Sequence, residues 1–141
     1  MQQSRFEEYL ARFNAEDVTV FDDFLHHDVK VLNGNLELHG VEAMKAHYAG
    51  HIWPDFDERL DLLRFVGNEE TAAVQLWTRF EARHDSPHSL FGAVVKGDRF
   101  DYRGIIMYEL RDEKFTSITV AYNAFSKMAV SGAITQLGIV H

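Results

Sequence analysis

The sequence predicts an α+β fold in which three N-terminal helices pack on the concave face of a curved, mainly antiparallel sheet. Two observations lead to this prediction. Apolar residues recur at helical spacing through much of the first third of the chain, and long alternating segments follow at residues 58–66, 71–83 and 100–125. The chain, residues 1–141, has the length of one domain, so we expect a single domain.

Three segments have the pattern of helices, namely residues 2–14, 17–26 and 40–52. The third should end before Pro54, because proline disfavours helical geometry in the residue that precedes it. A short hairpin is predicted between the second and third helices, at residues 28–38, because a turn sequence at 33–35 separates two apolar runs.

The rest of the chain has mostly the pattern of strands. Residues 58–66 and 71–83 are predicted to pair around a polar turn, and residues 100–125 to form a second hairpin that turns at 111–114. The intervening residues 84–98 are the loosest part, with a short strand expected near 91–95. We expect a single helical turn at residues 134–137 in the tail.

The hairpin at residues 100–125 has one apolar face and one mixed face. Because strand side chains alternate, the core face of its first strand contains Phe100, Tyr102, Gly104, Ile106, Tyr108 and Leu110. The outer face of the sheet then contains Trp77, Ile105, Met107, Thr119 and Ala121. Soluble monomers seldom expose an apolar patch of this kind, so we expect a homodimer through this face.

The composition excludes several classes of protein. A formal net charge of -8 argues against binding to nucleic acid and to anionic membrane surfaces. The chain contains no cysteine, which excludes disulfides and cysteine metal sites. We see neither a secretory leader nor a membrane-spanning run, so we expect a cytoplasmic protein. The eleven phenylalanines can fill a core or line an apolar cavity.

Three motifs resemble the SnoaL-like polyketide cyclase group of the NTF2-like superfamily. They are the helix-break-helix segment at residues 9–17 (YLARFNAED), the step after the third helix at 53–56 (WPDF) and the terminal 136–138 (QLG). The resemblance implies a cone-shaped domain with a hydrophobic pocket for a small apolar organic molecule. It also implies a dimer that pairs through the sheet. We expect no cofactor.

The resemblance extends to candidate catalytic positions. In the similar ketosteroid isomerases, a catalytic tyrosine matches Tyr9 and a supporting tyrosine matches Tyr48, whereas the base matches Asn33 and the buried acid falls near Ile106. An amide and an isoleucine cannot transfer protons, so that proton shuttle is not predicted here. The last-strand aspartate of SnoaL-like cyclases has no carboxylate counterpart, and Asn123 is the nearest polar candidate.

Histidine remains for acid–base chemistry. His47 and His51 lie four residues apart on the third predicted helix and therefore share a face. His47 adjoins Tyr48, and two interpretations remain open. It is either a proton carrier in the cavity or a residue on the solvent-exposed side of the helix. No third ligand accompanies the pair, so no metal site is predicted.

The other candidates are walls of the predicted cavity. They are Tyr48, His51, Trp53, Phe56, Tyr108 and Tyr122, and a plain core role is the alternative for the aromatic members. We expect Tyr9, Asn33, His47, Tyr48 and Trp53 to line one cavity between the helices and the sheet.

These observations favour an isomerase or cyclase of secondary metabolism that acts on a bulky apolar ketone or enol. Tyr9, supported by Tyr48, would polarise a carbonyl oxygen and His47 would move the proton. The alternative is a protein of the same fold without catalysis, which either holds a hydrophobic ligand or serves as a dimeric interaction module.

Overall fold

The computed structural model describes residues 1–138 and has the predicted α+β architecture. Two helices come first, followed by a hairpin, a third helix and then the long strands. The elements are α1 (Gln3–Asn14), α2 (Val20–Phe24), β1 (Leu25–Asn33), β2 (Leu36–His39), α3 (Val41–His47), a π-helical turn (Tyr48–Ile52), β3 (Phe56–Gly67), β4 (Thr71–Ala82), β5 (Ser86–Ser89), β6 (Gly92–Val94), β7 (Arg99–Arg111), β8 (Lys114–Met128) and β9 (Ile134–Gln136).

The main sheet has the strand order β2-β1-β8-β7-β4-β3, with β9 paired to β8. All neighbours are antiparallel except β1 and β8, which run parallel. The sheet is therefore mainly antiparallel, as predicted, and the three helices cover one of its faces, which we call the inner face. The short strands β5 and β6 form a separate hairpin.

Helix α1 forms where the apolar spacing predicts it. Its buried residues are Phe6, Tyr9, Leu10 and Phe13. At its last residue, the Asn14 side chain donates to the Leu60 carbonyl oxygen at 2.9 Å and accepts from the Leu60 amide at 2.8 Å. Two hydrogen bonds with one backbone position attach the end of α1 to β3.

The predicted second helix, residues 17–26, is wrong in its extent. Only Val20–Phe24 are helical, and the chain enters the sheet at Leu25. The cause lies in tertiary contacts. Strand β1 pairs in parallel with β8 and buries Val29 and Val31, and these contacts stabilise the fold more than further helical turns would.

The predicted helical turn at residues 134–137 is also wrong. Residues 134–136 form strand β9, which pairs with residues 126–128 of β8. Strand β1 covers β8 only between Phe115 and Val120, so the far end of that edge has free backbone groups. An unpaired edge of this kind is readily filled by a following strand.

Strand β8 contains a bulge at Asn123. Arg103 pairs with Ala124 and Gly104 pairs with Tyr122, so Asn123 has no partner on β7. A Cβ atom at Gly104 would lie 3.0 Å from the Ala121 carbonyl oxygen, so the strands approach closely here.

The core between helices and sheet is largely aromatic. It includes two ring clusters, one beneath α1 and one beneath the β5–β6 hairpin. The first contains Phe6, Tyr9, Phe24, Tyr108 and Phe115, and the second contains Phe56, Phe80, Phe91, Phe100 and Phe125. Among the helices of residues 1–138, none is long and apolar enough to cross a membrane.

Candidate functional site

A π-helical turn positions two of the candidate side chains. The Trp53 amide donates to the Tyr48 carbonyl oxygen at 2.9 Å, five residues back, where a helix of normal pitch would bond four residues back. The wider turn brings the Tyr48 and Trp53 rings to the same side, with their centroids 5.7 Å apart. Turns of this type are frequent at functional sites.

The rings of Tyr48 and Trp53 pack into the interior against two phenylalanines. Phe13 lies 4.9 Å from Tyr48 and 5.5 Å from Trp53, both in edge contacts, and Phe21 stacks on Trp53 at 6.0 Å. Tyr9 joins the same group, because its ring lies 6.1 Å from that of Phe13. The structure therefore brings Tyr9, Tyr48 and Trp53 together around one shared phenylalanine.

The interior also contains a carboxyl group, Glu58. It lies on the inner face of β3 and is 6% exposed. Among the described residues, neither its Oε2 atom nor the buried Trp53 Nε1 has a hydrogen-bond partner. Burial raises the pKa of the Glu58 carboxyl to about 8, although the Trp53 indole favours the charged form and partly opposes this shift. The indole therefore lies near the carboxyl, but without the geometry of a hydrogen bond.

The charge of Glu58 affects the tyrosines of this interior. Burial, and after it the negative charge of Glu58, raises the pKa of Tyr9 and of Tyr48. Burial and Tyr9 raise the pKa of Tyr108, whose ring centroid lies 4.5 Å from that of Phe115 in a tilted contact. All three hydroxyls therefore stay protonated near neutral pH and remain hydrogen-bond donors.

A second polar group lies on the same inner face of the sheet. The Tyr102 hydroxyl donates to Asn33 Oδ1 at 2.9 Å, and its ring packs 5.1 Å from that of Tyr122. Burial, and after it Tyr122, raises the pKa of Tyr102, while the Asn33 amide lowers it. Tyr102 also contributes to the raised pKa of Tyr48, which links the two groups.

The remaining candidates lie around or outside this interior. His47 is half-buried with its ring 5.1 Å from Tyr48, and burial, with His51 second, lowers its pKa. His51 is exposed, as is Asn123 in the β8 bulge. Phe56 is fully buried in the second ring cluster, 5.8 Å from Phe100, and forms part of the core there.

Glu58 and Tyr102 were not among the residues proposed from the sequence. The signal for Glu58 was present, because Phe56 and Leu60 alternate with it on one strand. The predicted strand began at residue 58, which placed Glu58 at its exposed end, whereas β3 begins at Phe56 and continues past it. Tyr102 was assigned to the core face but not to a polar role, since its contact with Asn33 spans 69 residues.

Two surface depressions lie outside the interior. One, of about 710 Å³, lies between the start of α1 and the β3–β4 turn, and the other, of about 390 Å³, lies between β1, β2 and α3. Neither is lined by Glu58 or by the tyrosines near it. Glu58 and the tyrosines near it therefore lie apart from both depressions.

The model of the SnoaL-like domain family matches residues 6–118. The chain belongs to this family. The match confirms the relationship that the three sequence motifs indicated. It extends from within α1 to the first third of β8 and therefore includes Glu58, Tyr9, Tyr48, Tyr102 and Tyr108. The chain has no significant match among curated protein sequences.

Solved structures have the same fold as this SnoaL-like domain. A candidate polyketide cyclase from Xanthomonas campestris pv. campestris has a TM-score of 0.70 at 22% identity, over 84% of this chain and 87% of that one. A SnoaL-like polyketide cyclase from Agrobacterium tumefaciens gives 0.67 at 15%, over 87% and 93%. A candidate ketosteroid isomerase from Kribbella flavida gives 0.62 at 15%, over 86% and 76%. At these identities the likeness establishes the fold alone.

Proposed function

We propose that this SnoaL-like domain is an isomerase or cyclase that acts on a bulky apolar ketone or its enol in a cone-shaped interior. The observation that carries the proposal is the buried Glu58 carboxyl, whose pKa is about 8 and whose Oε2 has no partner among residues 1–138. A catalytic carboxyl works best when its pKa lies near the working pH, because it can then both accept and donate a proton.

Glu58 would act as the proton carrier. Its carboxylate form takes a proton from the carbon next to the ketone, the C–H electron pair becomes the enolate double bond, and the carbonyl oxygen gains the negative charge. The protonated carboxyl then returns the proton to carbon. In this scheme Glu58 replaces His47, which was the proton carrier expected from the sequence.

The tyrosines would stabilise the charge that develops on oxygen. Tyr9 and Tyr48 share the interior with Glu58, and their raised pKa values keep both hydroxyls protonated. The Trp53 N–H, which has no hydrogen-bond partner among residues 1–138, is a third donor. Donors fixed in an interior without water stabilise an oxyanion more strongly than the same groups in solution.

The test measures proton exchange directly and so needs no knowledge of the natural substrate. The fused bicyclic ketone 2-tetralone is incubated with the protein in D₂O, and loss of its α-proton signals is followed by NMR. We expect catalysed exchange that rises with pH to a plateau above about 8, since the carboxylate is the reactive form.

Glu58→Gln should abolish the catalysed exchange, because an amide cannot accept the proton. The matched control is Glu109→Gln, which makes the same change at an exposed position on β7. Equal exchange in the wild type and in Glu58→Gln would remove Glu58 from the mechanism. Binding of 2-tetralone without any catalysed exchange would instead favour the non-catalytic hydrophobic-ligand-binding protein.

We also propose a homodimer through the outer face of the sheet. Ile105 and Met107 are 53% and 46% exposed there, next to Thr119 and Ala121 on β8. Trp77 lies on the same face. Its indole donates to Asp101 at 2.6 Å, between the guanidinium groups of Arg79 and Arg103 at 4.7 and 4.8 Å. An apolar centre beside an ordered ring is suited to an isologous contact with a second copy.

A further inference from the structure

Strand β1 contains a large irregularity next to α2. Leu25 of β1 pairs with Phe115 of β8, and the next pair is Lys30 with Ser117. Over this interval β1 advances five residues whereas β8 advances two. The intervening segment leaves the regular alternation of a strand, in which neighbouring side chains point to opposite faces. As a result, the consecutive side chains of His26, His27 and Asp28 gather on one side.

These three side chains have the composition of a metal site. One donor atom from each, two imidazole nitrogens and a carboxylate oxygen, lies within 4.8 Å of the other two. The rings of His26 and His27 have centroids 4.3 Å apart, and His26 Nδ1 contacts Asp28 Oδ1. His26 is half-buried, whereas His27 and Asp28 are exposed, so solvent can reach the cluster.

A cation already contacts the cluster in the form of Arg111. Its Nη2 atom lies 2.7 Å from His26 Nε2 and 3.9 Å from Asp28 Oδ1. Arg111 is itself exposed, so its side chain can leave without unfolding the strand. The nearby Lys114, which borders the same surface depression as His27, donates to the Asp22 carbonyl oxygen at 2.7 Å.

We propose that His26, His27 and Asp28 form a binding site for a divalent transition-metal ion, which takes the place of the Arg111 guanidinium. Two imidazoles and one carboxylate match Zn²⁺, Ni²⁺ or Cu²⁺, whereas Ca²⁺ and Mg²⁺ require oxygen ligands. Three protein ligands on an exposed strand leave further coordination positions open to water. The site lies outside the Glu58 interior and does not depend on the function proposed for it.

The test is isothermal titration of ZnCl₂ into untagged protein, since a histidine tag would bind the ion itself. We expect saturable binding with one ion per chain, reversed by EDTA. His27→Ala should weaken binding about tenfold or more, because it removes a ligand. Arg111→Ala should tighten it, because the competing cation is gone.

The matched control is His39→Ala, which removes an exposed imidazole of β2 that lies close to His27 but outside the cluster. We expect its affinity to equal that of the wild type. Thermal unfolding monitored by circular dichroism confirms that each variant is folded. The proposal is overturned if Zn²⁺ shows no saturable binding, if His27→Ala binds as tightly as the wild type, or if His39→Ala weakens binding as much as His27→Ala.

Discussion

The side-chain amide of Asn14 pairs with both backbone groups of Leu60, at 2.9 and 2.8 Å, in the manner of a neighbouring strand. This pairing fixes the end of α1 against β3 two residues beyond Glu58. Tyr9 is carried by the same helix, so the contact also sets the position of Tyr9 relative to Glu58. It therefore connects the two elements from which the site is built.

Asn14→Ala should destabilise the protein by roughly 1–3 kcal/mol, because it leaves two partly buried backbone groups of Leu60 without their partners. Urea denaturation measures the change. The control is Asn35→Ala, at an exposed position in the β1–β2 turn, which should alter stability by less than about 0.5 kcal/mol. Equal effects of the two substitutions would contradict the role assigned to Asn14.

Stability should depend on pH through Glu58. Its pKa rises from an ordinary value of 4.5 to about 8 on folding, so between these values the folded protein binds one proton more than the unfolded chain. Stability therefore falls as the pH rises through this window, on the order of 1 kcal/mol per pH unit, and levels off above it.

Urea denaturation of wild type and Glu58→Gln across that pH range isolates this contribution, because the difference between the two proteins cancels the other titrating groups. We expect the variant to gain stability relative to the wild type as the pH rises. A difference that does not change with pH would show that Glu58 has an ordinary pKa in the folded protein.

Ile105→Glu should dissociate the proposed dimer, because it places an unpaired charge at the centre of the outer face. Sedimentation equilibrium at micromolar concentration distinguishes the two species. Leu90→Glu is the control, since Leu90 is equally exposed, at 53%, but lies beyond the sheet between β5 and β6. If the wild type itself sediments as a monomer, the dimer is ruled out.

Gly104→Ala should destabilise the protein by about 1–3 kcal/mol, because the added Cβ would lie 3.0 Å from the Ala121 carbonyl oxygen and 3.1 Å from Tyr122 Cα. The contacted atoms are backbone and cannot turn away. Gly50→Ala is the control, since no atom lies within 4 Å of a Cβ there. Thermal unfolding measures the stability of the two variants. If Gly104→Ala left stability unchanged, this would contradict the close approach of β7 and β8.

Local patterns were sufficient to predict most of the fold. The apolar spacing of α1 and the alternation of β7 depend on each segment meeting a core on one side, which the sequence itself encodes. The extent of α2 and the strand formed by residues 134–136 depend instead on one edge of β8, with which both β1 and β9 pair. No pattern within those two segments reveals this distant partner.

The site was less predictable than the fold for a related reason. The helical stripes placed Tyr9 and Tyr48 inward, and the structure has both there. Glu58 was missed because a two-residue error in the start of β3 moved it from the middle of a buried face to an exposed end. The pairing of Tyr102 with Asn33 joins β7 to β1 across β8, and only the assembled sheet brings them into contact.

The π-helical turn makes the site sensitive to helical pitch as well as to composition. Its wide loop contains one residue more than a regular turn would need, between Tyr48 and Trp53. If the turn reverted to normal pitch with every residue kept, the indole would lie about 140° around the helix axis from Tyr48, away from the interior. A lineage that lost one residue here would instead bring the two rings to a spacing of four residues, which is the same face of a regular helix. Among relatives, a single gap in this segment is therefore compatible with the same arrangement built on normal helical pitch.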